Sequence, residues 1–222
     1  YASERGGRVA AVQLGSLEAV LADRIQSLPA EQQALLEVMA VAGRPTSQAH
    51  AFEAANIGDE ALHAVWALSS AKLLRTSGSR VDAHSEMYHD RVRESVLAGM
   101  SHESVSLRHV QLGRVLASKG DDHLFDAVRH LNAARRLLEP SEHRGVAELN
   151  ARAGKRARAA AAFRLAYGCF RAGITLLSDD CWSDDQYALA IALHSGAAET
   201  AYLSANWDVL DGHIRAVKDN AR

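Results

Sequence analysis

The sequence contains few proline, cysteine and aromatic residues. Three prolines in 222 residues leave long stretches free to be helical. Aromatic residues make up 5% of the chain, so close packing between helices through small side chains is favoured over a thick aromatic core. The two cysteines, Cys169 and Cys181, are too few for a disulfide framework or a four-thiolate zinc site. We therefore expect reduced thiols.

Strong net charge and long apolar runs are also lacking. A formal net charge of −2 gives no general attraction to nucleic acid or to anionic membranes. There is no run of about 18 apolar residues and no signal-peptide pattern. We expect a cytoplasmic chain with no membrane partner, and its start at Tyr1 rather than Met suggests a fragment of a longer polypeptide.

The familiar motifs of catalysis are absent from the sequence. It has no phosphate-binding loop, no nucleophile elbow, no kinase signature and no His-Glu-x-x-His pair. Eleven histidines raise the question of a metal, but the pairs His102/His109 and His123/His130 have no third ligand at an obvious spacing. We expect this chain to be no enzyme, with no catalytic residue, no metal and no cofactor of its own.

The first hundred residues show mainly the periodicity of α-helices in the spacing of their apolar residues. Apolar residues recur at helical spacing from Leu17 to Ser27, with Ser16 as a cap, and again between Pro29 and Gly43. Thr46 and Asp59 are expected to cap two further helices. The apolar residues expected on the second of these helices are Leu62, Val65, Trp66 and Leu68.

One β-hairpin interrupts this helical pattern. The turn-forming triplet Ser77-Gly78-Ser79 lies between two strand-like segments, residues 72–76 and 80–85. Another helix is expected from about His89. Short helices followed by a two-stranded hairpin predict a winged-helix domain at residues 16–100, preceded by a linker at residues 1–15.

Residues 101–222 show helical patterns only, and they contain an internal repeat. Small residues recur as small and large residues as large at a spacing of 44, except that Ala166 recurs as Leu210. The corresponding pairs are Gly154 and Ala198, Ala157 and Ala201, Phe163 and Trp207, and Phe170 and Ile214. Gly154, Phe163, Ala166, Phe170 and Gly173 also have the relative spacings of the tetratricopeptide consensus. We expect a mainly α chain, in which the winged-helix domain is followed by antiparallel tetratricopeptide-like helical repeats.

The segment after the hairpin is the candidate functional site. In Tyr88-His89-Asp90-Arg91 a histidine and an aspartate stand at the expected start of a helix. This position would present the imidazole from a fixed point, while Asp90 could accept first-turn backbone amides. The alternative is that His89 and Asp90 only cap the helix, and that Arg91 or Arg93 pairs with Glu94 or Glu86.

Two other segments of the sequence could form binding surfaces, one for DNA and one for an acidic partner. A winged helix can read DNA, but the candidate recognition helix, residues 59–71, contains no Arg or Lys. The basic run at residues 152–158 is expected to be a solvated helix face, or else a site for an acidic partner.

Tyr88-His89-Asp90 resembles the Met-His-Asp sensor motif of the winged-helix module that follows the nucleotide-binding domain in STAND-type signal-transduction ATPases. Residues 89–95, 124–132 and 147–157 resemble a large bacterial family. Its members join a serine/threonine kinase-like domain, an AAA-type ATPase, a helical region of this kind and often a sensor histidine kinase.

This resemblance implies a nucleotide-sensing role for the candidate site. His89 would contact the β-phosphate of ADP held by an upstream ATPase domain, Asp90 would hold the loop in place, and Arg91 would be a further contact. ADP or ATP would be bound in that upstream domain. The implied partners are the upstream nucleotide-binding domain and a protein or small effector on the helical repeats. A DNA-binding regulator and a stand-alone peptide-binding repeat module are the alternatives.

Overall fold

The computed structural model describes residues 19–79, 82–183 and 185–222. The described part is mainly helical, with one small antiparallel sheet. The chain divides into two compact units, Tyr1–Val115 and Leu116–Arg222. The expected linker at residues 1–15 and the expected cap Ser16 lie outside the described residues.

The elements of the first unit alternate between helices and short strands. Residues 19–26 are helical and form α1. The remaining elements are α2 (Ala30–Ala42), β1 (Thr46–Ser47), α3 (Gln48–Ala55), α4 (Ala61–Ser70), β2 (Leu74–Ser77), β3 (His84–Met87) and α5 (Asp90–Gly99). The division between the units falls inside α6 (His102–Ser118).

The second unit is built from helices. Its elements after α6 are α7 (Leu124–Ala133), α8 (Pro140–Ala159), α9 (Phe163–Ile174), α10 (Tyr187–Leu203) and α11 (Trp207–Asn220). Short 3-10 turns at Asp121–His123 and Arg135–Leu137 lie on either side of α7. None of the helices in the described ranges is both long enough and apolar enough to cross a membrane.

Helix α2 supplies much of the core of the first unit. It begins after Pro29 and ends at Gly43, whose φ of 68° closes the helix in the left-handed conformation. Leu35, Leu36 and Met39 are fully buried. Both the helix and its two boundaries confirm the sequence prediction.

The sheet has the order β1-β3-β2, so the predicted hairpin gains a third strand. Thr46 pairs with Ser85, and Thr76 pairs with Ser85 from the other side. Thr46 was expected to cap α3, but it lies in β1, which joins the sheet through pairing with residues far along the chain. A two-residue strand has no periodicity that a sequence could display.

The turn of the hairpin is longer than the expected triplet. β2 extends to Ser77 and β3 begins only at His84, while Arg80 and Val81 lie outside the described residues. Gly78 has a φ of 88° and lies against the carbonyl of Asp82, where a Cβ would clash. Glycine is therefore required at this position.

Helix α4 differs from its prediction at its start and on one face. Asp59 lies in a 3-10 turn, Gly58–Glu60, and the helix begins after Glu60 without a side-chain cap. Of the expected apolar residues, Val65 and Leu68 are buried, but Leu62 and Trp66 are 67% and 68% exposed. The exposed pair is one turn apart and faces away from the core of this unit.

The internal repeat is visible in the ends of the helices. α9 begins at Phe163 and α11 at Trp207, the pair that the repeat relates. The turns before α9 and α11 contain the same backbone hydrogen bonds at positions 44 residues apart. Ala162 N–H donates to Ala157 in the first, and Asn206 N–H donates to Ala201 in the second. Ala161 and Ala205, also related by the repeat, both have φ near 55°. The repeat predicted from sequence is thus present in the backbone.

Phe170 is the centre of packing between these helices. It is 1% exposed, and its ring lies between Gly154 of α8 and Gly196 of α10. A Cβ on either glycine would come within 2.6 Å of the ring. The small residues therefore allow three helices to pack around one aromatic side chain.

Candidate functional site

The hairpin fixes the position of the candidate site. Leu74 of β2 pairs with Met87, the last residue of β3. One residue later, the N–H of Tyr88 donates to the carbonyl of Leu73 at 3.0 Å. His89 remains extended, with φ −146° and ψ 151°, and α5 begins at Asp90. The chain thus passes from the sheet into the helix within two residues.

His89 is the N-cap of α5 through its backbone and not through its ring. Its carbonyl accepts the N–H of Val92 at 3.0 Å and of Arg93 at 3.3 Å. The imidazole is exposed and makes no side-chain capping bond. It contacts Tyr88 edge to face, with the ring centroids 4.8 Å apart. The backbone is held while the imidazole stays available to a ligand.

Asp90 and Arg91 continue the site along the first turn of α5, and both are exposed. Among the described residues the carboxylate of Asp90 has no hydrogen-bond or ion-pair partner, so the expected bonds to first-turn amides are not formed. Arg91 lines a groove of about 700 Å³ between α1 and α5. The three predicted residues form one exposed stretch, with Arg91 beside a concavity.

Two residues of the alternative ion-pair interpretation, Glu86 and Arg93, make contacts with other partners. Glu86 pairs with Arg75 across the hairpin at 2.8 Å. Arg93 donates from Nε to the carbonyl of Ala40 at 2.8 Å, and its guanidinium lies against Gly43. It therefore supplies a donor and a positive charge to the C-terminal turn of α2.

Sequence reasoning missed this role of Arg93. The left-handed Gly43 signals a helix end whose carbonyls need donors. The donor that meets them is 53 residues from Ala40 along the chain, and no local pattern indicates it. Arg93 is the residue that ties the start of α5 to α2.

The two other candidate surfaces lie on α4 and on α8. The exposed part of α4 carries Leu62, His63 and Trp66, and the helix contains no Arg or Lys. In the basic run, Arg152 forms an ion pair with Asp121, and Arg156 donates to the backbone carbonyl of Asp121 at 3.0 Å. Arg152, Lys155 and Arg156 are all exposed, as a solvated face requires, and the two arginines also bind the turn that precedes α7.

The cysteines are free and buried in the second unit. Burial raises the pKa of the Cys169 thiol to about 11, and mainly burial raises that of Cys181. Neither thiol has the lowered pKa of a reactive nucleophile. Within the described ranges no three His, Cys, Asp or Glu residues cluster as ligands for a metal ion.

Comparison of the chain with protein-family models, with curated proteins and with solved structures finds no match. The geometry of the first unit and the repeat in the second are therefore the basis for a functional proposal.

Proposed function

We propose that this chain is a non-catalytic regulatory segment of a multidomain bacterial signal-transduction ATPase and kinase. In this proposal the first unit is a winged-helix-like sensor of the nucleotide state of an upstream ATPase domain. The second unit is a tetratricopeptide-like arm that binds a regulatory protein or a small effector. The proposal rests chiefly on one observation: an exposed imidazole, His89, held at a helix start directly after a β-hairpin.

The order of elements in the first unit supports the winged-helix proposal. Helix α2, strand β1, helices α3 and α4, the hairpin and helix α5 follow one another as in that arrangement. β1 closes the sheet beside β3, which holds the hairpin against the unit that carries it. The hairpin thus gives His89 a fixed backbone position.

The proposed mechanism is a two-state switch. The first N–H groups of a helix have no intrahelical acceptor and favour anions, and the imidazole of His89 lies beside them at the start of α5. A β-phosphate placed there by the upstream domain would gain an imidazole contact in the ADP state. A ligand shifts an equilibrium only through different affinities for the two states, and this contact would supply the difference.

The second unit supports a role in partner binding. The matched turns before α9 and α11 indicate a stacked helical repeat. Tyr202 and Trp207 lie at the end of α10 and the start of α11, 61% and 56% exposed, with ring centroids 5.4 Å apart. Exposed aromatic side chains are enriched where proteins bind one another.

The DNA-binding alternative is less well supported. A recognition helix inserted into the major groove needs donors for base edges and cations for phosphates. α4 offers the exposed apolar side chains Leu62 and Trp66 instead. A gel shift with mixed duplex DNA at low salt tests this directly, and a salt-dependent shift would favour the alternative.

The proposal is tested in the longer natural protein that includes the upstream ATPase domain. We expect His89→Ala to accelerate exchange of ADP for ATP and to raise the basal output, because the resting state loses its phosphate contact. His102→Ala is the matched control, since His102 is another exposed histidine at the start of a helix. Unchanged exchange and output in the His89 variant would refute the assignment.

A further inference from the structure

Two histidines of the second unit meet side by side between its last two helices. His194 lies on α10 and His213 on α11, and both are half-buried. Their Nδ1 atoms are 3.3 Å apart, and the ring centroids are 5.3 Å apart at an angle of 63°. The two residues are 19 apart in sequence, a spacing that no metal motif indicates.

The distance between the two nitrogens suits a shared metal ion. Zinc binds imidazole nitrogen at about 2.0–2.1 Å. For two nitrogens 3.3 Å apart, an ion at that distance from both would subtend an N–metal–N angle of about 107°, which is close to tetrahedral. The helices therefore already hold two ligands at the required separation.

The protonation state of the pair also suits coordination. Burial, and then the proximity of His213, lower the pKa of His194. Burial lowers the pKa of His213 as well. The neutral rings can offer lone pairs to a metal near pH 7, where protonated ones could not.

Aromatic side chains enclose the pair on two sides. The ring of Trp182 lies 5.3 Å from that of His194, and the ring of Tyr167 lies 6.0 Å from that of His213. Trp182 is held in turn by Arg222, whose guanidinium donates to its backbone carbonyl at 2.8 Å. Such a shell limits ring rotation and solvent access, which strengthens coordination.

We propose that His194 and His213 form a two-histidine site for a divalent transition metal ion of the zinc and cobalt type. Both rings coordinate through Nδ1, so the ring that donates from Nδ1 in the free protein changes to the Nε2–H tautomer, and each neutral ring then carries its single proton on Nε2 with no net proton release. Because no third protein ligand is grouped with them in the described ranges, water fills the remaining positions. The ion joins α10 to α11.

The first test measures Zn²⁺ binding to the full 222-residue chain at pH 7.5, in competition with a chromophoric chelator. We expect His194→Ala and His213→Ala each to weaken binding of one equivalent of Zn²⁺ at least tenfold. His63→Ala is the control, because it removes an exposed imidazole of the first unit and should leave binding unchanged. Far-ultraviolet circular dichroism checks that every variant keeps its helix content.

A second measurement needs no substitution. On addition of Zn²⁺ to the unaltered protein, the Nδ1 resonances of His194 and His213 should move together in nitrogen NMR spectra, with the other imidazoles unaffected. Zinc bound equally well by both alanine variants, or shifts confined to other histidines, would show adventitious binding to the surface and overturn the proposal. The proposal would also be overturned if the protein bound no Zn²⁺ at a concentration of about 0.1 mM, at which even a weak site is occupied.

Discussion

Replacing Gly196 by alanine probes the packing on which the second unit depends. The new Cβ would lie 2.6 Å from the ring of Phe170, and the same ring also packs closely on Gly154, where a Cβ would come within the same distance. Overpacking of this kind costs about 1–3 kcal/mol, while alanine gains up to about 1 kcal/mol over glycine in a helix. We expect a net loss of up to about 2 kcal/mol in the free energy of unfolding.

Gly168→Ala is the matched control for this prediction. Gly168 lies inside α9, and a Cβ there would meet nothing within 4 Å, so the helix propensity should stabilise the protein by up to about 1 kcal/mol. Urea denaturation followed by circular dichroism measures both changes. Adding Phe170→Leu to Gly196→Ala should recover part of the loss. Equal stabilisation by the two glycine substitutions would refute the packing argument.

Three further predictions concern single contacts and titrations. Arg93→Met removes the hydrogen bond to the carbonyl of Ala40 and should lower the free energy of unfolding by about 1–2 kcal/mol, as measured by thermal denaturation. An unchanged free energy of unfolding would show that this hydrogen bond is not formed. Cys169, 5% exposed with a raised pKa, should react with a thiol reagent at pH 8 only after unfolding, and rapid labelling of the native protein would contradict its burial. His194 and His213 have lowered pKa values in the folded state, so the unfolded chain binds more protons below about pH 6.5, and the free energy of unfolding should fall as the pH drops from 7 towards 5. In urea titrations with a chelator present, His213→Phe should flatten this pH dependence. An unchanged slope in the variant would contradict the role of His213.

Features with a local cause could be predicted from the sequence. α2 could be bounded because Pro29 starts it and Gly43 ends it. The start of α5 just after His89 could likewise be predicted from the hairpin turn before it and from the spacing of the apolar residues after it. The repeat could be predicted because most of its members keep their size, and the turns at Ala161 and Ala205 follow the same backbone path.

Features that depend on distant partners could not be predicted. Thr46 forms a strand because Ser85 is available to pair with it. Leu62 and Trp66 have the spacing of a buried stripe, but both side chains are exposed among the described residues. The bond from Arg93 to α2 likewise joins segments that are remote in sequence. In each case tertiary contacts decide between local options that are similar in energy.

The affinities of the longer protein for ADP and ATP test the central proposal most directly. If His89 contacts the β-phosphate in the ADP state alone, His89→Ala should weaken ADP binding about tenfold or more and leave ATP binding nearly unchanged, since a hydrogen bond to a charged group contributes about 1.5–3 kcal/mol. The ADP-to-ATP preference should then fall by the same factor, while His102→Ala preserves it. An unchanged preference in the His89 variant would contradict the account.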